Sequence, residues 1–307
     1  MTISGYRIGV ALGSGAARGW AHIGVLRGLK RLGIEPTIVC GTSIGAYVGA
    51  AYAGNKLDAL ELWVRDLTKL RQTRLFDFQF GGSGIIAGRK FLQFFDKALP
   101  GSQIEELPRR FACVSTDLHS GQEVWLQAGS TADAVRASCA LPSLVPAVRM
   151  DGRWLLDGAL VNPIPVSVCR AMGAHFVIAV NLNSDVFGAA NGNGSRQHED
   201  GGEALTKATS NLPGADFLRR VASRQSDEPS ILTVLTQSLT IIQDRISRSR
   251  LAGDPPDVAI SPRLGDIGVF QFDRAEDCIA AGEAAVEQAA PALDALTRRL
   301  DPVGQMN

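Results

Sequence analysis

The chain has 307 residues, 45% of them hydrophobic, with 31 Lys plus Arg against 31 Asp plus Glu. That is ample material for a core, and the balanced charge argues against a large nucleic-acid footprint. Five dispersed cysteines (Cys40, Cys113, Cys139, Cys169 and Cys278) form no CxxC and read as reduced, buried thiols rather than disulfides or metal ligands.

Residues 1–7 lack a basic segment followed by a long apolar run, so no signal peptide is expected. The weakly polar stretch 44–54 is short of the ~18–20 residues that span a bilayer. The reading is a soluble, cytoplasmic protein, with peripheral membrane contact left open.

Ile8 to Leu12 is an apolar run stopped by Gly13, the pattern of a buried strand. The small-residue loop Gly13-Ser14-Gly15-Ala16-Ala17-Arg18-Gly19 follows. A helix is expected from about Arg18 to Leu32, because Trp20, Ile23, Leu26 and Leu29 share a stripe. A second strand, Thr37 to Cys40, enters Gly41-Thr42-Ser43-Ile44-Gly45, and a Gly/Ala-rich helix follows to about Ala53. This βαβα opening argues for a parallel sheet with helices on its faces.

Residues 57–107 read as irregular, with six phenylalanines between 76 and 95 that form core or else line or cap an apolar channel. Strands are expected at Arg110 to Leu118, Glu123 to Ala128 and Trp154 to Leu156, with a helix from Thr131 to Cys139. Val166 to Met172 reads as helix and His175 to Asn181 as a further buried strand. Residues 184–215 are polar and turn-rich, a flexible loop by composition. Beyond it come an amphipathic helix (Ile231 to Leu251), a short strand (Asp257 to Ile260), and a helix (Ala275 to Leu296) that Pro291 should interrupt or kink.

Three features carry chemistry. Gly41 to Gly45 is a G-x-S-x-G at a strand-to-helix turn, where a sharp bend lifts the Ser43 hydroxyl clear of the backbone. Gly41 and Gly45 permit strained torsions and keep the approach open. The Gly13 to Gly19 loop exposes backbone N–H groups at a helix start and makes an anion cradle. It fits no P-loop, since Trp20 follows Gly19, and its glycines miss the G-x-G-x-x-G spacing by one. An oxyanion hole fits it better. Third, Asp157-Gly158-Ala159 closes a short strand among Leu155, Leu156, Leu160 and Val161, which would desolvate the carboxyl and make it a stronger base. A Ser43–Asp157–His175 triad is the rival arrangement, but His175 precedes its strand.

Together these motifs resemble the patatin-like phospholipases, most closely the bacterial branch related to neuropathy target esterase. The similarity extends through Ala21 to Leu26, Ala137 to Pro142, Leu156 to Pro165, and Asp244 to Gly253. Ser14, Ala16 and Ser143 depart from the glycines that many relatives carry. The resemblance implies a single domain over 1–307 with a three-layer α/β/α fold and a mainly parallel sheet. It further implies a Ser43–Asp157 dyad acting on a lipid ester. The oxyanion hole would be built around Ser14, Gly15 and Ala16, with Arg18 supporting the loop. Neither cofactor nor metal is implied. Acyl transfer, thioester hydrolysis, and a regulatory protein of the same fold remain alternatives. Oligomeric state is left undetermined.

Overall fold

A computed structural model describes residues 6–66, 99, 101–142, 145–185 and 231–300. The phenylalanine-rich segment, most of the polar loop, Ser143 and His198 lie outside the described residues.

β1 (Ile8–Leu12) is followed by a 3-10 turn at Ala16–Trp20 and helix α1 (Ala21–Arg31). β2 (Ile38–Thr42) leads into α2 (Ile44–Ala53) and α3 (Leu57–Arg65). Then come β3 (Arg110–Asp117), β4 (Glu123–Leu126), α4 (Thr131–Ser138), β5 (Val148–Met150) and β6 (Arg153–Asp157). The chain continues through α5 (Val166–Ala171), β7 (Phe176–Val180), α6 (Ile231–Gly253), β8 (Val258–Ile260) and α7 (Ala275–Leu300).

The strands form one eight-stranded sheet, hydrogen-bonded in the succession β5 to β6 to β3 to β2 to β1 to β7 to β8, with β4 also paired to β3. The centre, from β3 through β2, β1 and β7 to β8, is parallel, whereas β4, β5 and β6 run antiparallel to their neighbours.

Central strands alternate which face they feed, as a two-residue repeat requires. Val10, Val39, Phe111 and Ile178 pack toward the larger layer, which contains α1, α2, α4 and α7. Ala11, Cys40, Ala112 and Ala179 face a thinner layer built on α5, with Leu251 of α6 against it. Burial on both faces explains why these strands are apolar runs rather than alternating ones. The result is the three-layer α/β/α fold with a mainly parallel sheet.

The antiparallel strands bring two distant segments together. β4 pairs with Cys113 to Thr116 of β3, so β2 and β6 must share the other edge. β2 ends with Thr42 opposite Val114, and β6, coming from the opposite direction, ends with Asp157 opposite Ser115. Their C-terminal ends meet head to head.

Several expectations shift. The first helix begins at Ala21, because the loop tightens into a 3-10 turn first. α3 lies inside the stretch read as irregular, held by the buried side chains of Leu60 and Val64. Three residues of mixed polarity carry no strand pattern at β5, which forms as the hairpin partner of β6. α7 runs through Pro291 without a break. Leu293 and Leu296, buried beyond the proline, anchor the continuing turns in the core.

Candidate active site

Ser43 occupies the bend between β2 and α2 with φ 58° and ψ −127°. A left-handed φ is rare for a side chain of this kind, and such torsions cost about 1–3 kcal/mol. Two glycines make the bend possible. A Cβ on Gly41 would lie 2.4 Å from the Gly45 carbonyl oxygen, and one on Gly45 would lie 2.1 Å from that of Leu12. Gly45 therefore lets the first turn of α2 rest directly on the end of β1, where the small-residue loop begins. The Ser43 carbonyl accepts from the amides of Ala46 and Tyr47, and its own amide donates to Ser138 Oγ at 3.0 Å.

The Ser43 hydroxyl donates to Asp157 Oδ2 at 2.6 Å. The other carboxylate oxygen accepts from the Ala159 amide at 2.8 Å. Asp157 is fully buried. Desolvation pushes its carboxyl up to about 7, against the lowering effect of the bonds from Ser43 and Ala159. A carboxylate made this basic is matched to taking a proton near neutral pH. Half-buried Cys139 lies against the pair, and burial drives its thiol well above the ordinary value, with the Asp157 charge adding to the effect.

The small-residue loop is pinned at both ends. The Gly13 amide donates to Val180 O at 3.1 Å, Ser14 to Pro163 O at 2.9 Å, and Ala17 to Val269 O at 3.1 Å. Of the three amides expected at an oxyanion hole, that of Ser14 is thus already committed, because the turn after Asn162 brings Pro163 alongside it. The amides of Gly15 and Ala16 donate to no acceptor among the described residues. Ala16 adopts φ 49°. Across residues 11–20 and 41–50 every residue is buried except Ala16 and Ser43. The loop and the bend thus open at one point each.

Arg18 does not face that opening. Its buried guanidinium donates from Nε to Ile267 O at 2.7 Å and from a terminal nitrogen to Asn183 Oδ1 at 3.3 Å. Burial lowers its pKa, partly opposed by the charge of Asp185. Asn183 in turn donates to the Ser14 carbonyl at 3.4 Å. Arg18 therefore supports the loop from behind. His22 does the same at its start: Nε2 lies 2.8 Å from the Gly13 carbonyl oxygen. Burial pushes this imidazole down to about 4, so it is neutral and Nε2 carries the donated proton.

His175 sits at the N-terminal end of β7, where its Nδ1 accepts from the Arg7 amide at 2.9 Å. Since β7 runs parallel to β1 and β2, this is the end of the sheet opposite Ser43. The triad alternative is thereby removed. Among the described residues, no cluster of His, Cys, Asp or Glu could hold a metal ion, and no helix is long and apolar enough to cross a membrane.

Sequence reasoning missed Ser138 and Asn183. Each is a small polar residue far along the chain from the group it holds, and only the fold juxtaposes them. The run Ala137 to Pro142 marked the first neighbourhood without assigning it a role.

The fold and site define an α/β protein with a serine at a strained strand-to-helix bend beside a buried aspartate. Residues 10–170 match the family model described as patatin-like phospholipase, and the chain belongs to that family. It is 29% identical over 332 residues to an uncharacterized NTE family protein of Mycobacterium tuberculosis, covering 94% of this chain and 92% of the relative. It is 34% identical over 190 residues to patatin-like phospholipase domain-containing protein 6 of Homo sapiens, covering 59% of this chain and 14% of that protein. Among solved structures, VipD from Legionella pneumophila is similar with a TM-score of 0.47 and 14% identity, covering 94% of this chain and 67% of that one.

Proposed function

We propose that the protein is a lipid acyl hydrolase in which Ser43 is the nucleophile and Asp157 its only proton acceptor. The observation that carries this reading is the 2.6 Å hydrogen bond from Ser43 Oγ to a fully buried carboxylate. Asp157 takes the hydroxyl proton as Oγ bonds to the ester carbonyl carbon. The carbonyl π electrons move onto oxygen, and the resulting oxyanion is held by the Gly15 and Ala16 amides. Losing one such donor typically costs about 2.7–4 kcal/mol of barrier. The tetrahedral species collapses, the ester C–O bond breaks, and Asp157 returns the proton to the departing alcohol. Asp157 then takes a proton from water as the water oxygen bonds to the acyl carbon, the acyl C–Oγ bond breaks, and Asp157 returns that proton to Ser43 as the acid leaves.

The family supports a lipid ester as the substrate class, and the one sheet formed by the described residues supports reading 1–307 as one domain. A fluorophosphonate probe tests the reading: it should label the wild-type protein and leave Ser43→Ala unlabelled. Folded wild-type protein that takes no label and hydrolyses neither phospholipid nor lysophospholipid vesicles would overturn it.

A further inference from the structure

The hydroxyl of Ser138 stands at the junction where β2 stops pairing with β3. It accepts from the Ser43 amide at 3.0 Å and donates to the Val114 carbonyl at 2.6 Å. Val114 is the residue opposite Thr42, the last paired residue of β2. The hydroxyl therefore joins the first amide beyond the ladder to a carbonyl of the neighbouring strand, as the bend carries Ser43 away. Two residues on, the Ala140 carbonyl accepts from the Asp157 amide at 2.9 Å. One short segment, 138–140, thus grips the main chain of both Ser43 and Asp157.

That segment is itself well fixed. α4 is capped at its start by Ser130 Oγ, which accepts from the Asp133 amide, and its buried Ala134, Val135 and Ala137 pack into the core. Its end is tied by the Cys139 amide donating to the Val135 carbonyl. Ser138 is fully buried, so no solvent competes for its two bonds.

We propose that Ser138 is a positioning residue, whose hydroxyl holds the strained Ser43 backbone so that Oγ stays within reach of the Asp157 carboxylate. The inference rests on the dyad reading above. Without the hydroxyl, the Ser43 amide and Val114 carbonyl are left unpaired in a closed space. The bend then relaxes toward a torsion that a serine adopts freely, and Oγ swings off Asp157.

The test compares Ser138→Ala with Ser138→Cys, a variant that nearly fills the same space but donates and accepts weakly. In both, the fluorophosphonate labelling rate and kcat should fall about 10²-fold, the scale of an ångström-level misplacement. KM should change little. The acid limb of kcat/KM against pH should move upward, because the bond from Ser43 is one of the groups lowering the Asp157 value. Mere loss of packing would lower the melting temperature of the alanine variant without moving that limb, and would spare the cysteine variant. A crystal structure of either variant reads the geometry directly. Ser43 Oγ should leave Asp157. An unchanged contact, or a cysteine variant that reacts at the wild-type rate, overturns the proposal. The crystallographic arm holds even if no ester is hydrolysed, so failure of the dyad reading and failure of this one are distinguishable.

Discussion

Thr42 and Asp157 end their strands head to head on one edge of β3, opposite the consecutive residues Val114 and Ser115. The spacing of Ser43 and Asp157 is thus a property of the backbone ladder rather than of flexible side chains. This has a cost in adaptability, because neither residue can shift without breaking strand pairing.

Asp157→Glu is therefore expected to fail as completely as Asp157→Asn. The asparagine cannot take the proton. The glutamate keeps the charge but forces one methylene into a fully buried site, and overpacking of that kind costs about 1–3 kcal/mol. Turnover of a short-chain ester should fall by about 10²-fold or more in both variants, on the scale set by misplacement of a reacting group. A glutamate variant with near-wild-type kcat would show that the geometry is less rigid than the ladder implies.

Much of this arrangement was legible in the sequence. The strand at Ile8 to Leu12, the bend at Ser43 and the carboxylate at Asp157 follow from local pattern, because glycines and apolar runs report backbone shape directly. What was not legible depends on contacts between segments far apart. No period or spacing reveals that β6 abuts β2, or that Asn183 reaches back to Ser14 across 169 residues. β5 has no apolar run of its own and exists through its pairing with β6. The bond from the Ser14 amide to Pro163 is hidden for the same reason, since Pro163 arrives beside it only in the folded chain.

Gly45→Ala should separate α2 from the end of β1. The added Cβ would lie 2.1 Å from the Leu12 carbonyl oxygen and 2.7 Å from that of Gly13, both backbone atoms with no freedom to yield. Activity should be lost together with stability, by about 1–3 kcal/mol or more. Urea unfolding gives the stability change, and ester turnover gives the activity.

Arg18→Lys should weaken the loop without touching the dyad. The ammonium cannot reproduce the two-way grip on Ile267 O and Asn183 Oδ1, and a buried acceptor left without its donor costs about 1–3 kcal/mol. If Gly15 and Ala16 bind the oxyanion, kcat should drop while KM and the pH profile stay close to wild type. A shifted profile would instead mean that Arg18 acts on Asp157.

Two buried groups give stability a pH signature with opposite signs. The folded Asp157 carboxyl, raised to about 7, holds a proton that the unfolded chain releases near its ordinary value, so its contribution falls as pH rises toward 7. The folded His22 imidazole, lowered to about 4, refuses a proton that the unfolded chain takes up near 6.5, so its contribution falls as pH drops toward 4. Each has a slope of about 1.4 kcal/mol per pH unit. Between about 4 and 6.5 the two cancel, which hides both in the wild-type protein. Asp157→Asn removes one of them. The variant should match the wild type near pH 4, then gain on it as pH rises, ending more stable by several kcal/mol above pH 7 although inactive. Urea midpoints across this range decide the matter: a variant that tracks the wild type at every pH would show that the folded Asp157 carboxyl is not raised, and with it that its burial does not make it a base.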